Sequence, residues 1–321
     1  MTIQTDVLPQ VGDIVAGGKF RICPGGKGAN EAIAASRLGG SVSLITKTGN
    51  DLFGRQAKQM FSSEGIRTDY IFSDANNPSG VALIMVNNAG EKYISLAQGS
   101  ITTLSLEEID KTRSEIMDAK VLLIELETPI ETALYAARIA SESGVPVIIN
   151  PSPQQTLPDE LFSLASIMIP NRSEASKLTG VDVNDFDSAE EAARKLADKG
   201  VETVIITMGH RGALMLRDEE THIIEAFDAD VKDTSGAGDV FCAAVCVAIS
   251  ENKDLLSAMK MASAAAALQV SRDGMMDAIP YRYEVERLLI PPPPPPMLNK
   301  TCDLPIHRIL RITGLIIHHK M

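Results

Sequence analysis

The stretch DTSGAGDVFCAAVCVAI, residues 233–249, sets two glycines and a small residue ahead of a carboxylate, Asp239, and follows it at once with an apolar run. Two readings are open on this segment alone. Gly236 and Gly238 can adopt backbone angles other residues avoid, and an acid is favoured in a helix's first turn, so the stretch can be an ordinary helix start. Alternatively, bare main-chain N–H groups at a helix N-terminus form an anion hole with glycines keeping its approach clear. A carboxylate there repels phosphate unless it has work to do, such as taking a proton from an attacking hydroxyl.

Working outward, the chain alternates apolar runs with helical patterns. VSLIT (42–46), KVLLIEL (120–126), VPVIIN (145–150), ASIMIPN (165–171) and VETVIITMG (201–209) read as buried strands. Helical stretches run from 51 to 65, 129 to 144, 172 to 180, 188 to 200, 237 to 250 and 254 to 270, several closed by glycine. This order predicts a three-layer α/β/α core around a mostly parallel sheet. One segment breaks the rhythm: residues 80–99 read as two alternating strands around NNAG, a hairpin signal. With the extended stretch 12–23 they predict a small β-lid beside the core, from about 11–23 and 79–98. Residues 1–290 are expected to form one domain. The six prolines from 291 open a segment, 291–321, expected to be a disordered tail.

Composition narrows the partners. The 321 residues are 45% apolar and 4% aromatic, with no Trp, which predicts an aliphatic, alanine-rich core. A net charge of −12 argues against nucleic acid or an anionic membrane as partner, since both need a basic face. Cys23, Cys242, Cys246 and Cys302 form no CxxC pair; Cys242 and Cys246 read as small core residues, and scattered thiols suit a reducing cytoplasm. No signal pattern opens the chain, and no apolar run reaches spanning length.

Ligands of parallel α/β sheets gather beyond the carboxyl ends of the strands. The polar residues there are Glu127, Asn150, Asn171, Glu174, Thr207, Gly209 and Asp233. Each alone can be a loop or cap residue; Asn171 can simply cap the helix that carries Glu174. A second glycine cluster, PGGKGANEAIAASRLGG (24–40), precedes a helix. It is neither the dinucleotide fingerprint nor a GxxxxGK[ST] loop. Lys27 can be an exposed lysine, or it can join Asn30 in holding a polyhydroxylated ligand.

GGKGANEA (25–32), TKTGNDLFG (46–54), PNRSEASKLTG (170–180), ITMGHRGA (206–213) and DTSGAGDVF (233–241), in this order, resemble the ribokinase-type (PfkB) carbohydrate kinases over about residues 7–290. GGKGAN looks like the ribose-specific branch rather than fructose or adenosine kinases. The resemblance implies an ATP-dependent kinase making D-ribose 5-phosphate. Asp239 would be the base, and Gly236, Ala237 and Gly238 the anion hole. Gly26, Lys27, Asn30 and Glu127 would hold the sugar. Asn171, Thr207, Gly209 and Ser263 would line the ATP site, with Glu174 acting indirectly near Mg²⁺. Asp233, Ser235, Gly274 and Ala278 would match a monovalent-cation loop, with K⁺ as activator. A homodimer through the β-lid is implied by analogy. Another pentose or nucleoside kinase, or a non-catalytic sugar- or nucleotide-binding protein on the same scaffold, remains open.

One departure stands out. Such chains normally open with an apolar strand ending in a G-S-x-N-x-D-type motif whose Asn and Asp hold sugar hydroxyls. This one opens MTIQTDVLPQVGD, and LPQVGD resembles the segment just after that motif. Residues 1–6 are too few and too polar for that strand. The expectation is a chain lacking a core strand, less stable than a full-length relative and weak in sugar affinity.

Overall fold

A computed structural model of the chain describes residues 1–89, 91–153 and 156–290. The proline-rich segment 291–321 lies outside the described residues.

The first elements are β1 (Thr2–Gln4), β2 (Lys19–Arg21), α1 (Lys27–Arg37), β3 (Thr46–Gly49), α2 (Leu52–Ser63), β4 (Ile71–Asp74) and the hairpin β5 (Val81–Val86) and β6 (Lys92–Ala97). A short 3₁₀ turn, Gly99–Thr103, leads to α3 (Leu106–Asp110) and α4 (Arg113–Met117). Then follow β7 (Leu122–Glu125), α5 (Ile130–Glu142), β8 (Val147–Asn150), α6 (Asp159–Leu164), β9 (Ile167–Met168), α7 (Arg172–Thr179) and α8 (Phe186–Asp198). The last are β10 (Thr203–Thr207), β11 (Ala213–Arg217), β12 (Glu220–Ile224), α9 (Ala237–Ser250), α10 (Leu255–Val270) and α11 (Arg282–Leu289).

The main sheet has the order β12-β11-β10-β9-β8-β7, parallel from β7 to β10 and antiparallel at β11 and β12. Side chains alternate across it with period two. Ile124, Ile149, Val204, Ile206, Leu214 and Leu216 enter one core with α3 to α8. Ile148, Ile205, Ala213 and Met215 enter the other with α1, α9, α10 and α11. The alanines predicted to dominate are what let α9 and α10 lie close: α9 is buried from Asp239 to Ala248. Cys242 and Cys246 belong to this core, as read.

The small sheet, order β2-β1-β5-β6, differs from expectation in two places. Residues 11–18 form no strand, because Gly12, Gly17 and Gly18 take positive φ and interrupt the alternation, leaving Val11 and Ile14 in solvent. Of that stretch only Lys19–Arg21 pairs. In its place Thr2–Gln4, short and polar as they are, form a strand, parallel to β5 and antiparallel to β2. The Met1 ammonium donates to the Ala82 carbonyl and fixes its start.

β3 and β4 pair only with each other in the ladders described, as a separate two-stranded sheet. Yet Ile45 and Phe72 pack against the first core, as β7 does through Ile124, and Val42 and Leu44 against the second, as β7 does through Leu123. The two sheets therefore lie in one layer, and among the described residues no ladder joins β3 to β7; on that edge of β3 the Lys47 carbonyl accepts from Ser100 Oγ at 3.2 Å and the Gly49 N–H donates to Ser79 Oγ at 3.0 Å.

Candidate active site

The site forms where the glycine-rich start of α1 meets the glycine-rich start of α9. Gly236 caps α9 in the left-handed region, φ +76°, and turns the chain so that the helix axis opens into the pocket. Among the described residues the N–H groups of Gly238 and Asp239 have no acceptor, and a side chain added at Gly238 would meet nothing. Of the donors anticipated for an anion hole at Gly236, Ala237 and Gly238, the Ala237 N–H is turned to the Thr234 carbonyl at 3.4 Å, and the Gly238 N–H is free.

Asp239 is buried, 6% exposed, and held from α1. Asn30 Nδ2 donates to its Oδ2 at 2.8 Å, and Lys27 Nζ stands 3.7 Å from its Oδ1. Burial raises the Asp239 carboxyl above its ordinary value, against the Lys27 charge and the Asn30 amide, so this carboxylate holds a proton more tightly than a solvent-exposed aspartate. Burial lowers the Lys27 ammonium, but Asp239, Glu174, Glu127 and Glu31 around it win and leave it raised. Glu127 Oε2 accepts the Lys27 main-chain N–H at 3.2 Å and lies against Gly26. Among the described residues Asn30 Oδ1 and Thr128 Oγ1 are buried and have no hydrogen-bond partner. An orphaned acceptor beside a carboxylate and an ammonium suits a hydroxyl-rich ligand, which can donate to both oxygens and accept from the lysine.

Two carboxylates here escaped the sequence reading. Glu31, one residue past Asn30, is fully buried and accepts from Asn150 Nδ2 at 2.8 Å. Glu125 Oε2 accepts the Glu127 main-chain N–H at 2.6 Å. Burial and the neighbouring Glu127 push Glu125 up to about 8, and burial and Asp239 push Glu31 well above the carboxylate range. The available signal was an acid inside an apolar strand run, KVLLIEL; for Glu31 the helical position carried none.

Asn171 and Glu174 form a capping box at α7, Asn171 taking the Glu174 N–H and Glu174 Oε2 taking the Asn171 N–H. The modest reading of this pair is thus correct, and it leaves Glu174 close enough to act on Lys27 and Asp239. Asn171 bridges to Thr207 at the end of β10, and Gly209 follows at φ +63° with open space beside it. Ser263 stands apart: it is buried in α10 and gives its hydroxyl to the Glu225 carbonyl at 3.3 Å.

Residues 3–282 match the pfkB family carbohydrate kinase profile. The chain belongs to the pfkB family of carbohydrate kinases. It is 40% identical to a ribokinase of Haemophilus influenzae over 287 residues, covering 89% of this chain and 94% of that one. It is 35% identical to a deoxyribokinase of Salmonella typhi, over 86% of this chain and 90% of that one. Among solved structures it resembles Arabidopsis thaliana ribokinase complexed with ribose and ATP, at a TM-score of 0.83 and 29% identity over 89% of this chain and 94% of that one. The fold of these pfkB kinases accounts for the two glycine loops meeting at one acid.

The oxygens expected to hold a monovalent cation do not fit that role as they stand. Asp233 Oδ1 accepts the Ser235 N–H at 3.0 Å and has the Lys92 ammonium 3.7 Å away, while Ser235 Oγ accepts from Lys92 at 3.4 Å. The Ser235 carbonyl takes a hydrogen bond from Gln269 Nε2 at 2.9 Å, and the Ala278 carbonyl one from Arg272 at 3.4 Å. Gly274 takes positive φ, +94°, in open space. Among the described residues no cluster of three or more His, Cys, Asp or Glu could hold a metal, and no helix is long and apolar enough to cross a membrane.

Proposed function

We propose that this chain transfers the γ-phosphoryl group of ATP to the 5-hydroxyl of D-ribose. The observation that carries the reading is Asp239, a buried carboxylate at the open N-terminus of α9, gripped by Asn30 and Lys27 from the other glycine loop. The similarity to ribokinases at 40% identity supports the choice of sugar.

Gly26, Lys27, Asn30 and Glu127 hold the sugar, and the orphaned Asn30 Oδ1 accepts a hydrogen bond from one of its hydroxyls. Asp239 accepts the proton of the attacking hydroxyl as the new P–O bond forms. The N–H groups of Gly238 and Asp239, beyond the turn at Gly236, with the positive end of α9, receive the charge on the migrating phosphoryl. Asn171, Thr207 and Gly209 line the nucleotide side, and Ser263, expected there, is instead occupied with the Glu225 carbonyl. Glu174 uses one oxygen as a helix cap, and its other oxygen would serve Mg²⁺, which would neutralise phosphate charge when bound. The lid exposes Phe20, Leu83, Tyr93, Ile94 and Leu96, which supports a second copy covering it.

The test is a coupled ADP-release assay with ribose, deoxyribose, fructose and adenosine. Ribose is expected to give the highest kcat/KM. A preference for fructose or adenosine overturns the sugar assignment, and ligand binding without turnover on any of the four overturns the kinase reading in favour of a binding protein.

A further inference from the structure

We infer that Gln269, assisted by Lys92, replaces a monovalent cation in this chain, so that the anion-hole loop is pinned by the protein itself and needs no potassium. This rests on the kinase reading for its meaning in catalysis, but the pinning is a property of the fold.

Gln269 sits near the end of α10 and is fully buried. Its Nε2 donates at 2.9 Å to the carbonyl of Ser235, in the loop leading to Asp239, and at 3.1 Å to the carbonyl of Met275, in the loop after α10. A carboxamide nitrogen carries two hydrogens, and both are used, one on each loop. Two carbonyl dipoles from separate loops, converging in a buried place, repel each other unless something positive lies between them. A cation is one solution; the NH₂ end of Gln269 is another. The orientation follows from the same two carbonyls. Reversed, the carboxamide would set three oxygens around one point, stable only around a cation. The packing favours the first arrangement. A Cβ on Gly236 would lie 2.7 Å from Met275 Sδ and 3.3 Å from Gln269 Nε2, so these two side chains fill the junction, and a thioether is a poor ligand for a hard cation.

The side-chain oxygens of the same loop are served from the lid. Lys92, at the start of β6, brings its ammonium to Asp233 and Ser235. A positive charge therefore stands at the acid that a bound cation would neutralise, and the donors come from the fold.

The experiment compares potassium chloride with tetramethylammonium chloride at equal ionic strength, using the full chain. Two readouts need no turnover, the ADP dissociation constant by titration calorimetry and the melting temperature; the third is kcat with ribose. The parent is expected to give the same ADP affinity in both salts within about twofold, since no ligand is added to the folded state. Gln269→Ala is expected to lose about tenfold in ADP affinity or kcat in tetramethylammonium, the scale of one loop hydrogen bond, and to regain it with potassium but not with lithium. Gln269→Glu, which keeps the volume and places an oxygen against both carbonyls, is expected to depend on potassium still more; it also decides the matter if the alanine variant does not fold. A potassium-dependent rise of about fivefold or more in the parent's ADP affinity overturns the inference, because it means that the carboxamide turns its oxygen inward around an ion. So does a Gln269→Ala variant equal to the parent in tetramethylammonium. A chain that turns over none of the sugars fails as a kinase, while the calorimetry and melting still judge the pinning.

Discussion

Asp239 is held by two partners that differ in kind. Asn30 orients it through a hydrogen bond, and Lys27 balances its charge from 3.7 Å. Replacing Asp239 with Asn keeps the shape and removes the proton acceptor, so turnover is expected to fall by about 10² or more with ADP affinity retained. Steady-state kinetics beside calorimetry check this; near-parental turnover would show that another group takes the proton. Glu125 makes a separate statement about pH. Its folded value stands at about 8, above the ordinary carboxylate range, because of burial and Glu127. Between that range and about 8 the unfolded chain has released this proton and the folded chain still holds it. The folded state binds more protons there, so stability falls as pH rises through the window and levels off above it. Glu31 contributes with the same sign. Glu125→Gln removes the penalty, so its melting temperature relative to the parent should rise between about pH 5 and pH 9, by about 2–4 °C for each kcal/mol recovered. An unchanged difference across that range would mean that Glu125 is ionised in the folded protein.

At the scale of elements, the helices are joined to each other by a few specific ties. Arg37 at the end of α1 donates to both carboxylate oxygens of Glu64, past the end of α2, at 2.9 and 2.6 Å, and to the carbonyls of Met276 and Ile279. It thereby connects α1 with the segment that leads into α11. Arg37→Ala is expected to cost about 2–3 kcal/mol, the worth of a partly buried charge-assisted network. Arg113→Ala, in the exposed pair with Asp110, should leave the melting temperature nearly unchanged. Equal effects in denaturant titration would show that the Arg37 tie is not holding these elements. The elements themselves were legible because their signals are local: the capping box at Asn171 and Glu174, the glycine after α5, and the apolar runs of β7, β8 and β10 all lie within a few residues. What sequence could not supply is what depends on distant partners. Gln269 reads as an ordinary helix residue until the carbonyls of Ser235 and Met275 are placed beside it, and Lys92 as a hairpin lysine until Asp233 faces it. The strand of Thr2–Gln4 is of the same kind, since three residues, two of them polar, pair only because β5 and β2 lie on either side.

Over the whole molecule, the sheet layer is divided between β7 and β3. Two apolar cores continue across the division, so what it interrupts is the main-chain ladder. Because Thr2–Gln4 already belong to the lid, an apolar strand is best supplied as an extension ahead of Met1. Each buried main-chain group that gains a partner is worth about 1–3 kcal/mol, and a chain so extended should melt several degrees higher and bind ribose more tightly. If the extended and original chains match in melting temperature and in kcat/KM, the division carries no cost.

The same division sets where deuterium enters from heavy water. In an intact layer of this kind the strand amides at the centre exchange last and those at the rim first. Here successive residues of β7 turn their amides to opposite sides, so that Leu122 is bonded to the Pro146 carbonyl while Leu123 and Glu125 face the division; Ile45, just before β3, faces it from the other bank. Isotope uptake along β7 should therefore alternate residue by residue, with protection at Leu122 and early labelling at Leu123. The pattern belongs to an edge strand, and it would be found in the middle of the fold.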